Sequence, residues 1–137
     1  MADKTISALT AVTTLDGTEP LPVVQSSTTK KATVSQVLTG QLVTEAGTSR
    51  TLSATDNAKI IVCTSSSAVT ITCPTGLVDG FNATIIQKGT GKVTLAAGSG
   101  ALLISYSSLF STMGQYAVIS VVTVDSDVFI AAGNLGV

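Results

Sequence analysis

Few residues in this chain can do chemistry, and their spacing assembles none of the familiar sites. There is no histidine, which removes the usual general base and the commonest metal ligand. The acids Asp3, Asp16, Glu19, Glu45, Asp56, Asp79, Asp125 and Asp127 are scattered, mostly among turn-forming neighbours. Asp125 and Asp127 flank a turn and could hold a cation between them. Aspartate suits turns so well that a turn-forming role is the preferred reading. Cys63 and Cys73, ten residues apart, match no metal motif and read as small buried apolar residues. Gly89/Gly91 and Gly98/Gly100 are not followed by a helix start with a lysine, as a phosphate-binding loop requires. Nothing resembles G-x-S-x-G, and a nucleophilic serine would lack its base. The inventory therefore argues against an enzyme. No catalytic, cofactor-binding or metal-binding residue is expected, and no cofactor.

The elements that hold these residues read as strands and turns. From Thr51 onward, segments alternate apolar and polar side chains, the period of a half-buried strand. Strands are expected at 59–64, 68–73, 81–88, 92–97, 102–106, 115–124 and 128–132. Ser65-Ser66-Ser67 reads as a loop, Gly89-Thr90-Gly91 as a hairpin turn and Asp125-Ser126 as another. Seven short strands at near-regular spacing predict an all-β fold, a small antiparallel β-sandwich or barrel-like domain. If 59–64 and 68–73 form a hairpin, Cys63 and Cys73 sit ~13 Å apart along the strands, at ~3.3 Å per residue. A disulfide needs Cα atoms within ~7 Å, so both thiols are expected to be free. The strand at 115–124 is apolar on both sides: Tyr116, Val118 and Val122 on one, Ala117, Ile119 and Val121 on the other. Such a strand is covered from both faces, and Tyr116, Val118 and Val122 are candidate subunit-interface residues.

Bulk composition agrees with a life among other chains. Charged residues make up only 11%, against ~25% in ordinary soluble proteins, and Ser and Thr fill the gap. The net charge of −1 offers no basic patch, so neither nucleic acid nor an anionic membrane is an expected partner. Mean hydropathy is +0.53, but Gly, Ser and Gln interrupt the uncharged stretch 93–124 before it reaches the ~20 apolar residues of a spanning helix. The N-terminus lacks the features of a signal peptide, so folding in the cytoplasm is expected.

The character changes near residue 45. Residues 1–45 read as an extended N-terminal docking arm and 46–137 as a compact β-domain. Within 1–32 the apolar residues are sparse. Pro20 and Pro22 favour extended backbone and forbid a continuous helix. Such a segment cannot bury enough of itself to be a domain. Its scatter of Leu and Val suggests order against a partner surface, which makes Ile6, Leu9, Leu15, Leu21, Val23 and Val24 candidate docking residues. The alternative is a disordered tail. Lys30-Lys31 could meet an acidic partner, although solvated charges are the preferred reading. One short helix is expected near 33–39, with Thr33 and Gln36 as a capping box and Gly40 ending it.

Residues 6–40 carry a resemblance. Ile6-Ser7-Ala8-Leu9-Thr10, Leu15-Asp16-Gly17-Thr18-Glu19, Leu21-Pro22-Val23-Val24 and Thr28-Thr29-Lys30-Lys31-Ala32-Thr33-Val34 resemble a segment at the N-termini of tail-fibre-like, head-fibre and capsid-decoration proteins of tailed bacteriophages. The β-rich part is similar, more weakly, to small domains of the same proteins, through Ile85–Thr94, Gly114–Ala117 and Ala131–Leu135. Fibre proteins are usually far longer, with shaft repeats that this chain lacks, which favours a compact decoration protein.

The resemblance implies a virion structural protein on the capsid surface. As a capsid decoration, or cement, protein it would bind and stabilise the major capsid protein lattice as a homotrimer. The competing expectation is a short tail fibre or receptor-binding tip that binds a host surface glycan. Such a site would want exposed aromatics, and Tyr106 and Phe110, in an expected loop after the Leu102 strand, are the candidates. A secreted adhesin or pilin-like subunit fits less well without a signal peptide.

Overall fold

The computed structural model describes residues 20–25, 28–33 and 41–137. The chain divides into two compact units, Met1–Thr39 and Gly40–Val137. In the first, β1 (Pro20–Gln25) and β2 (Thr28–Thr33) form an antiparallel ribbon, with Pro20 opposite Thr33 and Gln25 opposite Thr28. The arm expected to be simply extended is thus a hairpin over these residues. Two prolines are tolerated because β1 has one partner, so a missing N–H can fall on the free edge. Thr33, the expected helix cap, is the last residue of β2. The remainder of the expected helix lies outside the described residues.

The second unit is all-β, as expected, but it is not a seven-stranded antiparallel sandwich. Eleven strands form two sheets. The strands are β3 (Leu42–Glu45), β4 (Ser49–Thr51), β5 (Lys59–Cys63), β6 (Val69–Cys73), β7 (Asn82–Gln87) and β8 (Val93–Ala97). They continue with β9 (Leu102–Ser105), β10 (Ser111–Thr112), β11 (Val118–Asp125), β12 (Val128–Gly133) and β13 (Leu135–Gly136). One sheet runs β3-β5-β7-β11-β12-β9 and the other β4-β6-β8-β10-β13. From β3 to β8 the chain crosses between the sheets at every corner, and each strand stacks parallel on the one two before it. The arrangement is solenoid-like. Parallel neighbours need a crossover of a dozen or more residues, and here the opposite sheet's strand is that crossover.

Both expected hairpins in this region are therefore corners. Serines 65–67 and Gly89-Thr90-Gly91 each carry the chain from one sheet to the other. Period-2 alternation could not reveal this, because it looks the same whether the next strand turns back beside its predecessor or crosses to the facing sheet. The hairpin expected at Asp125-Ser126 is present, with β11 antiparallel to β12.

The coils repeat. Lys59 aligns with Ala83 and Val69 with Val93, an offset of 24 residues in both sheets. Ser65 and Ser67 thus correspond to Gly89 and Gly91. Gly76 and Gly100, at equivalent positions, share a left-handed backbone, with φ of +82° and +83°. Stacked corners bond to each other: Gly91 N–H donates to the Ser65 carbonyl at 3.1 Å and Gly89 N–H to that of Cys63 at 2.9 Å.

The core lies between the sheets. Ile61, Ile85 and Ile119 align across β5, β7 and β11, each 0–1% exposed, and face Ile71 and Leu95 of β6 and β8. Phe81 and Phe129 fill the remaining width. At the C-terminal end the coil gives way to antiparallel strands, β11 on β7 and β10 on β8.

At the other end the first coil substitutes ions for aliphatics. Glu45 aligns with Cys63 and Arg50 with Ile71. Arg50 Nη1 donates to Glu45 Oε2 at 3.0 Å and Nη2 to Asp56 Oδ1 at 2.6 Å. Asp56, in a short 3-10 turn (Ala54–Asp56), is buried and also accepts from the Ser53 N–H and hydroxyl. This plug ends the hydrophobic column without leaving an apolar cross-section open.

Candidate functional site

The two sheets present outer faces of opposite chemistry. On the five-stranded sheet the outward positions of the coils carry hydroxyls. Ser49, Thr70, Thr94 and Ser111 align in one row, and Thr51 and Thr72 in the next. The Thr94 and Ser111 hydroxyls bond to each other at 2.9 Å.

On the six-stranded sheet the outward positions are mostly aliphatic, interrupted by Thr44, Asn82, Thr84 and Ser120. Thr44, Val62, Ile86 and Val118 form one row. Val122, Ile130 and Ile104 form another. Leu42 is 65% exposed and Leu102 54%, where burial would gain about 1.5–3 kcal/mol for each large aliphatic. Among the outward positions of these six strands one carries a charge: Asp125, exposed at the end of β11 and paired with Val128 in the row of Leu102. β-branched residues on both faces of a strand mean that packing is sought on both faces.

A groove of about 450 Å³ crosses the β3-β5-β7 half of this face. Leu42 and Thr44, Val62 and Thr64, Ile86 and Lys88 line it in pairs, and Tyr116 closes one end. Tyr116 has φ of +68°, a region that a bulky residue enters at a cost. The conformation is held by two main-chain bonds across β7: Tyr116 N–H to the Gln87 carbonyl at 2.6 Å and Gln87 N–H to that of Ala117 at 3.0 Å. The ring is 71% exposed. The molecule thus holds an exposed aromatic in a strained backbone at the rim of an apolar groove.

The candidate residues fall as follows. Val118 and Val122 lie on the outer face of the six-stranded sheet and Tyr116 at its groove, so the structure brings these three to one surface. The second cover expected for that strand is not supplied within the described unit. Leu21, Val23 and Val24 belong to β1, while Ile6, Leu9 and Leu15 lie outside the described residues. Lys30 and Lys31 sit in β2 opposite Val23 and Pro22. Sequence reasoning missed Leu42, Val62, Ile86, Leu102 and Ile104 as members of the face. The signal was present in the consecutive apolar residues Ile60-Ile61-Val62, Ile85-Ile86 and Leu102-Leu103-Ile104.

Several of the remaining polar groups are bonded within the fold, while Arg50 Nε and Thr123 Oγ1 are buried without a partner. Asp127 Oδ1 accepts from the Gly76 N–H at 2.6 Å and Asp125 Oδ1 from the Ser126 N–H at 2.8 Å, the turn roles preferred above. Burial by itself would raise the Asp56 carboxyl, but the Arg50 guanidinium and the two Ser53 donors outweigh it and hold the group below the ordinary aspartate range. The bond to Asp56 raises Arg50 against the opposing effect of its burial. Cys63 and Cys73 are free and buried, in strands of different sheets rather than in one hairpin. Burial pushes their thiols to about 11 and about 12. Inside, the Thr112 hydroxyl donates to Gln87 Oε1 and accepts from the Val93 N–H at 3.0 Å. Among the described residues no three His, Cys, Asp or Glu side chains converge as metal ligands, and no helix is long and apolar enough to cross a membrane.

No protein-family model matches this chain, and no curated protein matches it in sequence.

Proposed function

We propose that this chain is a non-enzymatic structural subunit of a tailed-bacteriophage particle, a capsid decoration protein that binds and stabilises the major capsid lattice as a trimer. The observation that carries the reading is the outer face of the six-stranded sheet, where Leu42, Leu102, Ile104, Val118 and Val122 stand exposed, a surface that a free monomer rarely leaves open. The wording of residues 6–40 adds the resemblance to virion docking segments. The titratable groups point the same way: each carboxylate of the Arg50 cluster and of the Asp125 turn is engaged in holding the fold. In this reading the N-terminal segment is the capsid-binding element. Three such segments per trimer bind together, so each contact can be weak.

The test is cryo-electron microscopy of intact particles with this protein's density identified. Density on the head surface, with residues 1–40 running over capsid subunits, is the expected result. Density confined to the tail would overturn decoration and favour the second reading, a short tail fibre or receptor-binding tip. Tyr106 is the observation on that side: its side chain is fully exposed, in the loop that leads to Phe110. Binding of a host surface glycan by the isolated protein, lost in Tyr106→Ala, would be its signature.

A further inference from the structure

We infer that the groove across β3, β5 and β7 binds a single-chain amphiphile with an anionic head, its tail lying across the strands and its head beside Lys88 and Tyr116. The inference goes beyond the virion reading and does not rest on it.

The floor of the groove selects the tail. Thr44, Val62 and Ile86 align across the three strands, so the groove follows a row of the sheet and crosses the strands. Leu42, two residues back along β3, borders the row on one side. Thr64 and Lys88, one residue past the ends of β5 and β7, border it on the other. Thr64 donates its hydroxyl to the Glu45 carbonyl at 3.3 Å, so it adds little polarity. Asn82, Thr84, Ser120 and Asp125, the polar interruptions of this face, do not line the groove. An extended peptide laid over such a floor would find no partners for its N–H and C=O groups on that side. A hydrocarbon chain has none to satisfy.

Size selects one chain. The groove's volume of about 450 Å³ lies within the ~300–1,000 Å³ of small-molecule sites. From β3 to β11 there are three strand intervals of ~4.8 Å, roughly 14 Å in all, the span of an extended chain of about ten carbons. The paired tails of a membrane phospholipid exceed that room.

Charge selects the head. Lys88 is the one charged residue lining the groove. Its side chain is exposed, and both ion pairs among the described residues belong to Arg50, so no carboxylate there neutralises the Lys88 ammonium. Its main chain is fixed from both sides: the N–H donates to the Cys63 carbonyl at 2.9 Å, and the carbonyl accepts from Gln115 Nε2 at 2.9 Å. Tyr116, bonded through its N–H to the Gln87 carbonyl, is brought to the same end by its left-handed backbone. Strain of this kind clusters at ligand clamps. An amphiphile oriented this way takes its methylenes out of water and leaves its charge against an ammonium at the solvent edge. A cationic head would meet Lys88 as a like charge.

The experiment is a methyl-resolved NMR titration of the labelled full chain with decanoate, kept below its micelle concentration, beside the same titration with decyltrimethylammonium. The expected result is saturable shifts at Leu42, Val62 and Ile86, none at Leu102, Ile104 and Val122, and a preference for decanoate. Lys88→Gln should weaken decanoate binding about fivefold, the scale of one exposed ion pair. Lys88→Glu should reverse the preference between the two amphiphiles. Position 88 is exposed, so both variants keep the fold. Thr44→Trp, which fills the groove from an exposed edge position, should abolish binding of both. No saturation, equal affinity for the two heads, an unreversed preference in Lys88→Glu, or shifts centred on Leu102 and Val122 overturns the inference. So does a groove already covered in the free chain, its methyls shifting on dilution before any amphiphile is added, which assigns it to a second copy. Each of those failures leaves the place of the protein on particles, read by microscopy, untouched.

Discussion

Gly91 is stacked so closely over Ser67 that a Cβ on the glycine would overlap the Ser67 carbonyl oxygen, and Gly89 stands in the same relation to Ser65. The corner of one coil rests directly on the backbone of the corner below, and only hydrogen fits between them. Gly91→Ala should therefore force successive coils apart and cost about 3 kcal/mol or more. Gly114, with nothing within 4 Å of its position for a Cβ, is the control, and Gly114→Ala should be near neutral. Urea unfolding followed by circular dichroism separates the two.

Asp56→Ala should destabilise the domain by about 1–3 kcal/mol, the cost of stranding buried hydrogen-bonding groups, since Arg50 is partly exposed and keeps Glu45. It leaves Arg50 with Glu45 alone and strips the Ser53 N–H of its acceptor. The same group sets an acid limit. Its folded pKa lies below its unfolded value, so between the two the unfolded state binds more protons and stability rises with pH. The contribution is complete above the ordinary aspartate range, near pH 4, and is lost as pH falls through the lowered value. Thermal unfolding measured from pH 7 downward should show wild type losing stability in that window, with Asp56→Asn much flatter.

Neither Cys63 nor Cys73 should react with a thiol reagent at pH 8 while the domain is folded. Burial disfavours the thiolate, raising the groups to about 11 and about 12, and the thiolate is the reactive form. Both should titrate fully in denaturant. Rapid native labelling of either would show that the coils open far more often than their packing implies.

Thr112→Val keeps the shape of a fully buried side chain but strands the Gln87 amide oxygen and the Val93 N–H. A loss of about 2–6 kcal/mol is expected, from two buried groups at ~1–3 kcal/mol each. Equilibrium denaturation would read it, and Thr94→Val on the outer face, at below ~1 kcal/mol, sets the baseline.

Strand positions and sidedness were legible from local alternation. Segments such as Val69–Cys73 and Val118–Asp125 fall where period 2 puts them, and the inward residues Ile71, Ile119 and Val121 are the buried ones. Partnership was not legible that way. Gly89-Thr90-Gly91 has the composition of a hairpin turn, yet its glycines answer to the coil beneath. The discriminating signal was long-range: Val69-Thr70-Ile71 and Val93-Thr94-Leu95, then Thr75-Gly76 and Ser99-Gly100, recur at one 24-residue interval. The short strands β3, β4, β10 and β13 were invisible because two to four residues carry too little periodicity. The surface at Tyr116, Val118 and Val122 was readable because one long strand had no polar side. Its full extent was not, since that depended on which strands lie beside β11.

The switch from parallel coils to an antiparallel end also orders how the domain comes together. β7 can settle on β5 as soon as both have been synthesised, across a loop of modest length. Its other edge then waits for β11, more than thirty residues further along the chain. Until Val118–Asp125 emerges, a nascent chain carries an unsatisfied strand edge, the kind of template that invites pairing with the wrong chain. β11 is thus a doorstop for the growing sheet, and chains halted before it are the ones that a cell's quality control would have to catch.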